Sequence, residues 1–83
     1  MKLLKFYADW CGPCKGLTMI INGAKDKINI PIEEYDIDNE MMMAQEYKIR
    51  SVPTMVLVDD KGYEIKRHVG LATEEKLLEF LKG

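Results

Sequence analysis

The chain's two cysteines are separated by only two residues, in the sequence Trp-Cys-Gly-Pro-Cys-Lys at positions 10–15. This spacing lets Cys11 and Cys14 close a small disulfide ring if residues 11–14 form the first turn of a helix. The unpaired N–H groups and the positive dipole end of such a helix would stabilise a thiolate on Cys11. A C-x-x-C pair beside a β-α-β pattern, in a chain without other cysteines, is typical of a redox pair.

Length and charge narrow the class of protein. We expect the 83 residues to form one domain over 1–83, near the lower limit for a self-sufficient core. A charged fraction of 31% argues against a membrane protein, and a net charge of −2 without a basic stripe argues against nucleic acid as a partner. Residues 1–6 are too short and lysine-interrupted for a signal peptide. We therefore expect a cytoplasmic monomer, in a compartment where a lone thiol pair is more often catalytic than structural.

Apolar periodicity predicts four strands and three helices in the order β-α-β-α-β-β-α. The predicted strands cover residues 3–7, 32–37, 54–58 and 63–69. The first predicted helix runs from Gly12 to about Ile28. The second runs from a cap at Asp38 or Asn39 to Tyr47, and the third begins after a cap at Thr73.

The connections between these elements predict an α/β fold. The first β-α-β unit is expected to be parallel and right-handed, and the turn at residues 59–62 makes a hairpin of the last two strands. The sheet is then four-stranded and mixed, with helices on both faces. The cysteine pair follows the first strand at its carboxyl end, where open α/β sheets place their sites.

Two motifs carry a resemblance that covers essentially the whole chain. Residues 10–15, together with Ile-Arg-Ser-Val-Pro-Thr at 49–54, resemble the thioredoxin family. Tyr-Asp-Ile-Asp at 35–38, Gly62 and Val69-Gly70 also fall where that family has similar residues. The resemblance begins at the family's second strand and implies a minimal thioredoxin fold with a cis bond between Val52 and Pro53.

The residues and the resemblance together imply a mechanism. An unperturbed thiol has a pKa of about 8.5, so only roughly 3% of it is ionised at pH 7, and the family lowers that pKa to near 7. Cys11, nearer the helix start, would attack a substrate disulfide, and Cys14 would then resolve the mixed disulfide. Gly12 and Pro13 would keep the ring tight.

The resemblance also implies a substrate-binding groove and partners. The backbone of Val52 beside Pro53 would pair with an extended substrate peptide, and Trp10 and Gly70 would complete the groove. The implied partners are disulfide-containing proteins and a recharging reductase, a flavoprotein thioredoxin reductase. The implied cofactor is none beyond the Cys11–Cys14 disulfide, and no metal is expected.

Two positions depart from the family pattern together. Where thioredoxins usually carry a buried aspartate, six residues before the first cysteine, this chain has Lys5; where they carry its lysine partner, it has Glu34. We hypothesise that Lys5 and Glu34 pair beneath Cys14 with exchanged ends, Glu34 accepting the proton of Cys14 and Lys5 favouring a thiolate. The alternative is that Lys5 extends to solvent on an uncovered face.

Other interpretations of the cysteine pair remain open at this point. They are a structural disulfide, two incidental core cysteines, and an iron–sulfur cluster bridged between two chains. A zinc site in one chain is excluded, since two cysteines and one histidine do not supply four ligands without carboxylates. Competing functions are a glutaredoxin-like electron donor recharged by glutathione, and a non-catalytic thioredoxin-fold interaction module.

Overall fold

A computed structural model of the chain describes residues 1–82; the last residue of the predicted domain, Gly83, lies outside the described part. The strands are β1 (Lys2–Tyr7), β2 (Ile32–Asp36), β3 (Thr54–Val58) and β4 (Glu64–Val69), and the helices are α1 (Gly12–Gly23), α2 (Met41–Glu46) and α3 (Glu74–Leu81), with a 3-10 turn at Lys25–Lys27.

The four strands form one mixed sheet in the order β2-β1-β3-β4. Strand β1 pairs in parallel with β2, which places Lys5 opposite Glu34, and pairs antiparallel with β3. Strands β3 and β4 form the expected antiparallel hairpin. The predicted α/β class and four-stranded mixed sheet are thus confirmed.

Alternate residues of the central strands supply the two sides of the core. Leu3 and Met55 pack with Leu17 and Ile21 of α1 and Leu77 of α3. The residues that alternate with Leu3 and Met55 along β1 and β3 face the opposite side of the sheet, where Met43 of α2 packs. They are Leu4, Phe6, Val56 and Val58. Helices therefore cover both faces of the sheet, as predicted.

Helix α1 is shorter than the periodicity predicts. It ends at Gly23, and the chain then turns through the 3-10 segment instead of continuing to Ile28. Glycine has a low helix propensity, so the helix loses little by stopping there. Ile28 still packs against the core from outside the helix, which explains why the apolar spacing extends beyond it.

The cap predicted for α2 is wrong, and the cap predicted for α3 is present. Glu40, not Asp38 or Asn39, stands at the start of α2, and it caps no N–H with its side chain. Asp36 instead organises the preceding turn, accepting from the backbone N–H of Asp38 at 2.9 Å. At α3, the Thr73 hydroxyl accepts from the backbone N–H of Lys76 at 3.2 Å.

Candidate active site

The disulfide lies at the junction between β1 and α1. Cys11 is the residue before the first turn of α1, with extended backbone angles (φ −94°, ψ 108°). It is bonded to Cys14, and their Cα atoms are 5.3 Å apart. The Cys11 Sγ also accepts the backbone N–H of Cys14 at 3.1 Å, so the sulfur itself caps the helix. Pro13 fits the first turn because its missing N–H would have no partner inside the helix.

Both cysteines are almost completely buried, whereas Trp10 beside them is exposed. Cys11 is 4% exposed and Cys14 is 2% exposed, whereas Trp10 is 69% exposed. The two cysteines and Ala8 form a small cluster, against which Tyr7, Ile37 and Val52 pack. Gly12 and Pro13 are exposed on the outer side of the ring. The surface next to the disulfide that is open to a partner therefore includes Trp10 and these two residues.

Trp10 is fixed by a contact that the sequence analysis missed. Its indole Nε1 donates to the Asp38 carboxylate at 3.0 Å. Asp38 is one of the two residues predicted to cap α2, but its carboxylate binds Trp10 instead. The two residues are 28 positions apart in the sequence. No local pattern signals such a pair, because it depends on β1 and β2 ending side by side.

The loop before β3 reaches the disulfide from the other side. The Val52–Pro53 peptide bond is cis, and Val52 packs against the cysteine cluster. The Pro53 carbonyl accepts the N–H of Gly70 at 2.8 Å, which brings the end of β4 to the same place. Gly70 has a φ of 98°, a conformation that side chains rarely adopt. Val52 therefore contacts the cysteine cluster directly, and Pro53 links it to Gly70.

Lys5 and Glu34 form an ion pair, with the Lys5 Nζ 3.0 Å from Glu34 Oε2. The pair is not buried at both ends: the Lys5 side chain is 2% exposed and the Glu34 side chain 54%. The Lys5 ammonium also donates to the Thr18 hydroxyl and lies 5.5 Å from the centre of the Tyr7 ring. The alternative in which Lys5 extends into solvent is therefore wrong.

A cleft of about 310 Å³ lies beside Cys14. It is lined by Tyr7, Ala8, Asp9, Cys14, Lys15, Thr18 and Glu34. The carboxylate of Glu34 and the sulfur-bearing Cys14 thus share one solvent-connected space. Burial raises the pKa of Tyr7 there, and the nearby carboxylates of Asp36, Glu34 and Asp9 raise it further.

Residues 1–82 contain neither a metal-binding cluster nor a helix able to span a membrane. No three or more histidine, cysteine or acidic residues in this part of the chain are grouped so that they could hold a metal ion. No helix within the same residues combines the length and apolar character needed to cross a bilayer.

Comparisons with known proteins agree with this geometry. The family model for thioredoxin matches residues 1–83. The thioredoxin of Chlamydia trachomatis is 38% identical over 80 residues, covering 95% of this chain and 78% of that protein. The bifunctional thioredoxin reductase/thioredoxin of Mycobacterium leprae is 33% identical over 78 residues, covering 92% of this chain and 17% of that protein.

A solved structure gives the same result for the fold. A mutant thioredoxin from Halobacterium salinarum matches with a TM-score of 0.88 at 34% identity, covering 98% of this chain and 71% of that one. The redox interpretation of the cysteine pair thus agrees with the sequence family and with the superposed fold. The chain belongs to the thioredoxin family, whose members are disulfide oxidoreductases.

Proposed function

We propose that this protein reduces disulfide bonds in other proteins by cycling Cys11 and Cys14 between dithiol and disulfide. The observation that carries the proposal is the position of Cys11, whose sulfur caps α1, is bonded to Cys14 and lies beside the exposed Trp10. One turnover moves two electrons from the dithiol to the substrate disulfide. The products are two substrate thiols and the Cys11–Cys14 disulfide.

Cys11 makes the first attack. At the start of α1 its sulfur receives a backbone N–H and the positive end of the helix dipole, and both favour a thiolate. The thiolate displaces one substrate sulfur and forms a mixed disulfide. Cys14, inside the first turn, then attacks the Cys11 sulfur and releases the second substrate thiol.

The groove that receives the substrate surrounds this pair. The backbone of Val52, next to the cis bond to Pro53, pairs with an extended segment of the substrate. Trp10, held by Asp38, covers one side of that segment, and Gly70, held by Pro53, leaves room on the other. Gly12 and Pro13 form the outer surface of the ring that the substrate disulfide meets.

Glu34 and Lys5 assist the resolving step. Before Cys14 can attack, its thiol must lose a proton, and the Glu34 carboxylate lines the cleft that Cys14 lines. Glu34 accepts that proton, through water in the cleft, and passes it to solvent from its half-exposed position. Lys5 supplies a fixed positive charge beneath the site, which favours the thiolate.

The Glu34→Gln substitution tests the proton transfer. The amide cannot accept a proton as the carboxylate does, so we expect the pH–rate profile of the resolving step to move to higher pH, with a roughly tenfold lower rate at pH 7. The control is Glu33→Gln, which removes a carboxylate from the adjacent position of β2 without touching the cleft lining. Superimposable profiles for Glu34→Gln and the wild type would exclude this role.

A reductase must return the oxidised protein to the dithiol. We propose a flavoprotein thioredoxin reductase, supported by the Mycobacterium leprae relative whose name joins thioredoxin reductase and thioredoxin in one protein. We further propose that the protein works as a monomer in the cytoplasm. That compartment keeps a lone thiol pair reduced between turnovers.

Reduction of insulin disulfides tests the function and the electron source together. We expect turnover with NADPH and a flavoprotein thioredoxin reductase, and none when glutathione and its reductase replace them. A Cys14→Ser variant should support no turnover with either system. Turnover with glutathione alone would favour the glutaredoxin-like alternative, and failure with both systems would contradict the proposed activity.

A further inference from the structure

The hydroxyl of Thr18 lies between the buried ammonium and the resolving cysteine. It accepts a hydrogen bond from the Lys5 Nζ, and it donates one to the backbone carbonyl of Cys14 at 3.1 Å. Thr18 follows Cys14 by four residues, one turn further along α1. A continuous chain of contacts therefore runs from Glu34 through Lys5 and Thr18 to the backbone of Cys14.

Thr18 also stands between two spaces. The cleft beside Cys14 is lined by both Thr18 and Glu34, and a second cavity of about 330 Å³ is lined by both of them and by Lys5. The Lys5 side chain thus lies along this second cavity, with its ammonium next to α1. The bond to Thr18 holds it against the helix turn that carries Cys14.

We propose that Thr18 is a positioning residue for the resolving step, acting through Lys5 and resting on the function proposed above. By holding the ammonium against α1, Thr18 keeps its positive charge next to the helix turn that carries Cys14. The ammonium also donates to Glu34 Oε2 at 3.0 Å, so Thr18 and Glu34 hold it from two sides. Without the hydroxyl, Glu34 becomes the main polar partner of the ammonium, and the charge moves away from Cys14.

The step that Thr18 supports balances as follows. The Cys14 thiol gives its proton to Glu34, and the resulting thiolate forms a bond to the Cys11 sulfur. The bond between Cys11 and the substrate sulfur breaks, and the substrate leaves as a thiolate that takes a proton from solvent. The two electrons of the departing bond stay with the substrate sulfur, so the protein ends oxidised and the substrate reduced.

A purely structural role for Thr18 is the competing explanation. Threonine hydroxyls inside helices commonly bond to the carbonyl four residues earlier, and such a bond needs no function. That role predicts an effect on stability that is independent of Lys5 and of pH. The proposed role predicts an effect on one kinetic step that requires Lys5.

The ionisable groups around Cys14 bear on any pH-dependent result. Those facing it across the cleft are Tyr7 and Asp9 from β1 and the following loop, Lys15 from α1, and Glu34 from β2. The variants used in the test keep all of them, so a change of profile is assigned to Thr18 and Lys5.

Stopped-flow mixing of the reduced protein with an aromatic disulfide that releases a coloured thiolate separates the two steps. The first equivalent reports attack by Cys11 and the second reports resolution by Cys14. For Thr18→Val we expect the first phase unchanged, and the second about fivefold slower at pH 7, with its midpoint raised by roughly 0.7 pH unit and wild-type rates restored at high pH. Thr18→Ser, which keeps the hydroxyl, should stay within about twofold of the wild type.

The same measurement in a Lys5→Met background decides between the two roles. We expect Thr18→Val to change the second phase by less than about twofold there, because the ammonium it positions is gone. An equal loss in both backgrounds, or an unshifted midpoint for Thr18→Val, would overturn the proposal. Thr18→Ala provides the same readout if the valine variant does not fold. Absence of the second phase in the wild-type protein would instead refute the proposed function.

Discussion

Lys5 lies in surroundings that are unusual for a lysine, because its side chain is buried. It is the single charged side chain buried in the core of the described residues, at 2% exposure. A buried charge is costly unless it is paired and hydrogen-bonded, and Lys5 has both an acidic and a hydroxyl partner. Because its acidic partner reaches solvent, the pair connects the core beneath the disulfide with bulk water.

Tyr35 and Glu33 form a second unusual pair, on the same strand. The Tyr35 hydroxyl donates to Glu33 Oε1 at 2.7 Å. This bond is the main cause, and burial the second, that raises the pKa of Tyr35 to about 12. The same bond is the main cause that lowers the pKa of Glu33, and the hydrogen bond from Lys2 is the second. Because the folded state favours neutral Tyr35, the stabilisation is complete from neutral pH up to pH 10 and is lost as the pH rises through about 12.

An ultraviolet titration of the tyrosines tests this pair. We expect one of the four tyrosines to ionise near pH 12, and Tyr35→Phe to remove that part of the curve. Glu33→Gln removes the carboxylate acceptor and should return Tyr35 toward its ordinary range. A Tyr35→Phe curve that loses amplitude near pH 10 rather than near 12 would contradict the assignment.

At the scale of the elements, the end of α2 shows a defined stop signal. The N–H of Ile49 donates to the Ala44 carbonyl at 2.8 Å, and the N–H of Lys48 donates to the Gln45 carbonyl at 3.1 Å. This pair of bonds is the Schellman motif, which places a left-handed residue just after the helix. Lys48 occupies that position with a φ of 54°, where glycine is the usual residue.

Lys48→Gly should therefore stabilise the protein. Relief of the left-handed strain outweighs the extra chain entropy of glycine, so we expect a gain of about 1 kcal/mol, or roughly 4–8 °C in thermal midpoint. Lys48→Ala is the matched control, since it removes the same charge but keeps the strain, and it should leave the midpoint nearly unchanged. A glycine variant no more stable than the alanine variant would contradict this explanation.

The extent to which sequence predicts these elements depends on the range of the interactions. The start of α1 and the Thr73 cap depend on neighbouring residues, and both were predicted. The early end of α1 was missed because Ile28 packs in the core without being helical. The cap of α2 was missed because Asp38 bonds to Trp10, and strand register rather than local sequence brings those two residues together.

At the scale of the whole molecule, the sheet assembles one site from three distant segments. Cys11 follows β1, Val52 and Pro53 precede β3, and Gly70 follows β4; Val52 packs against the cysteines, and Pro53 accepts the N–H of Gly70. The family resemblance predicted this assembly and the positions of Lys5 and Glu34. It could not predict the contact with Thr18, because that depends on how a buried lysine side chain is oriented within this particular core.

Trapping of the mixed disulfide shows whether Cys11 attacks and Cys14 resolves. Reduced Cys14→Ser protein, mixed with a disulfide-bonded peptide and analysed by mass spectrometry, should accumulate one peptide on Cys11 and stop there. Cys11→Ser protein should form little adduct under the same conditions. Rapid adduct formation on Cys14 in the Cys11→Ser protein, or continued turnover by Cys14→Ser, would contradict these roles of the two cysteines.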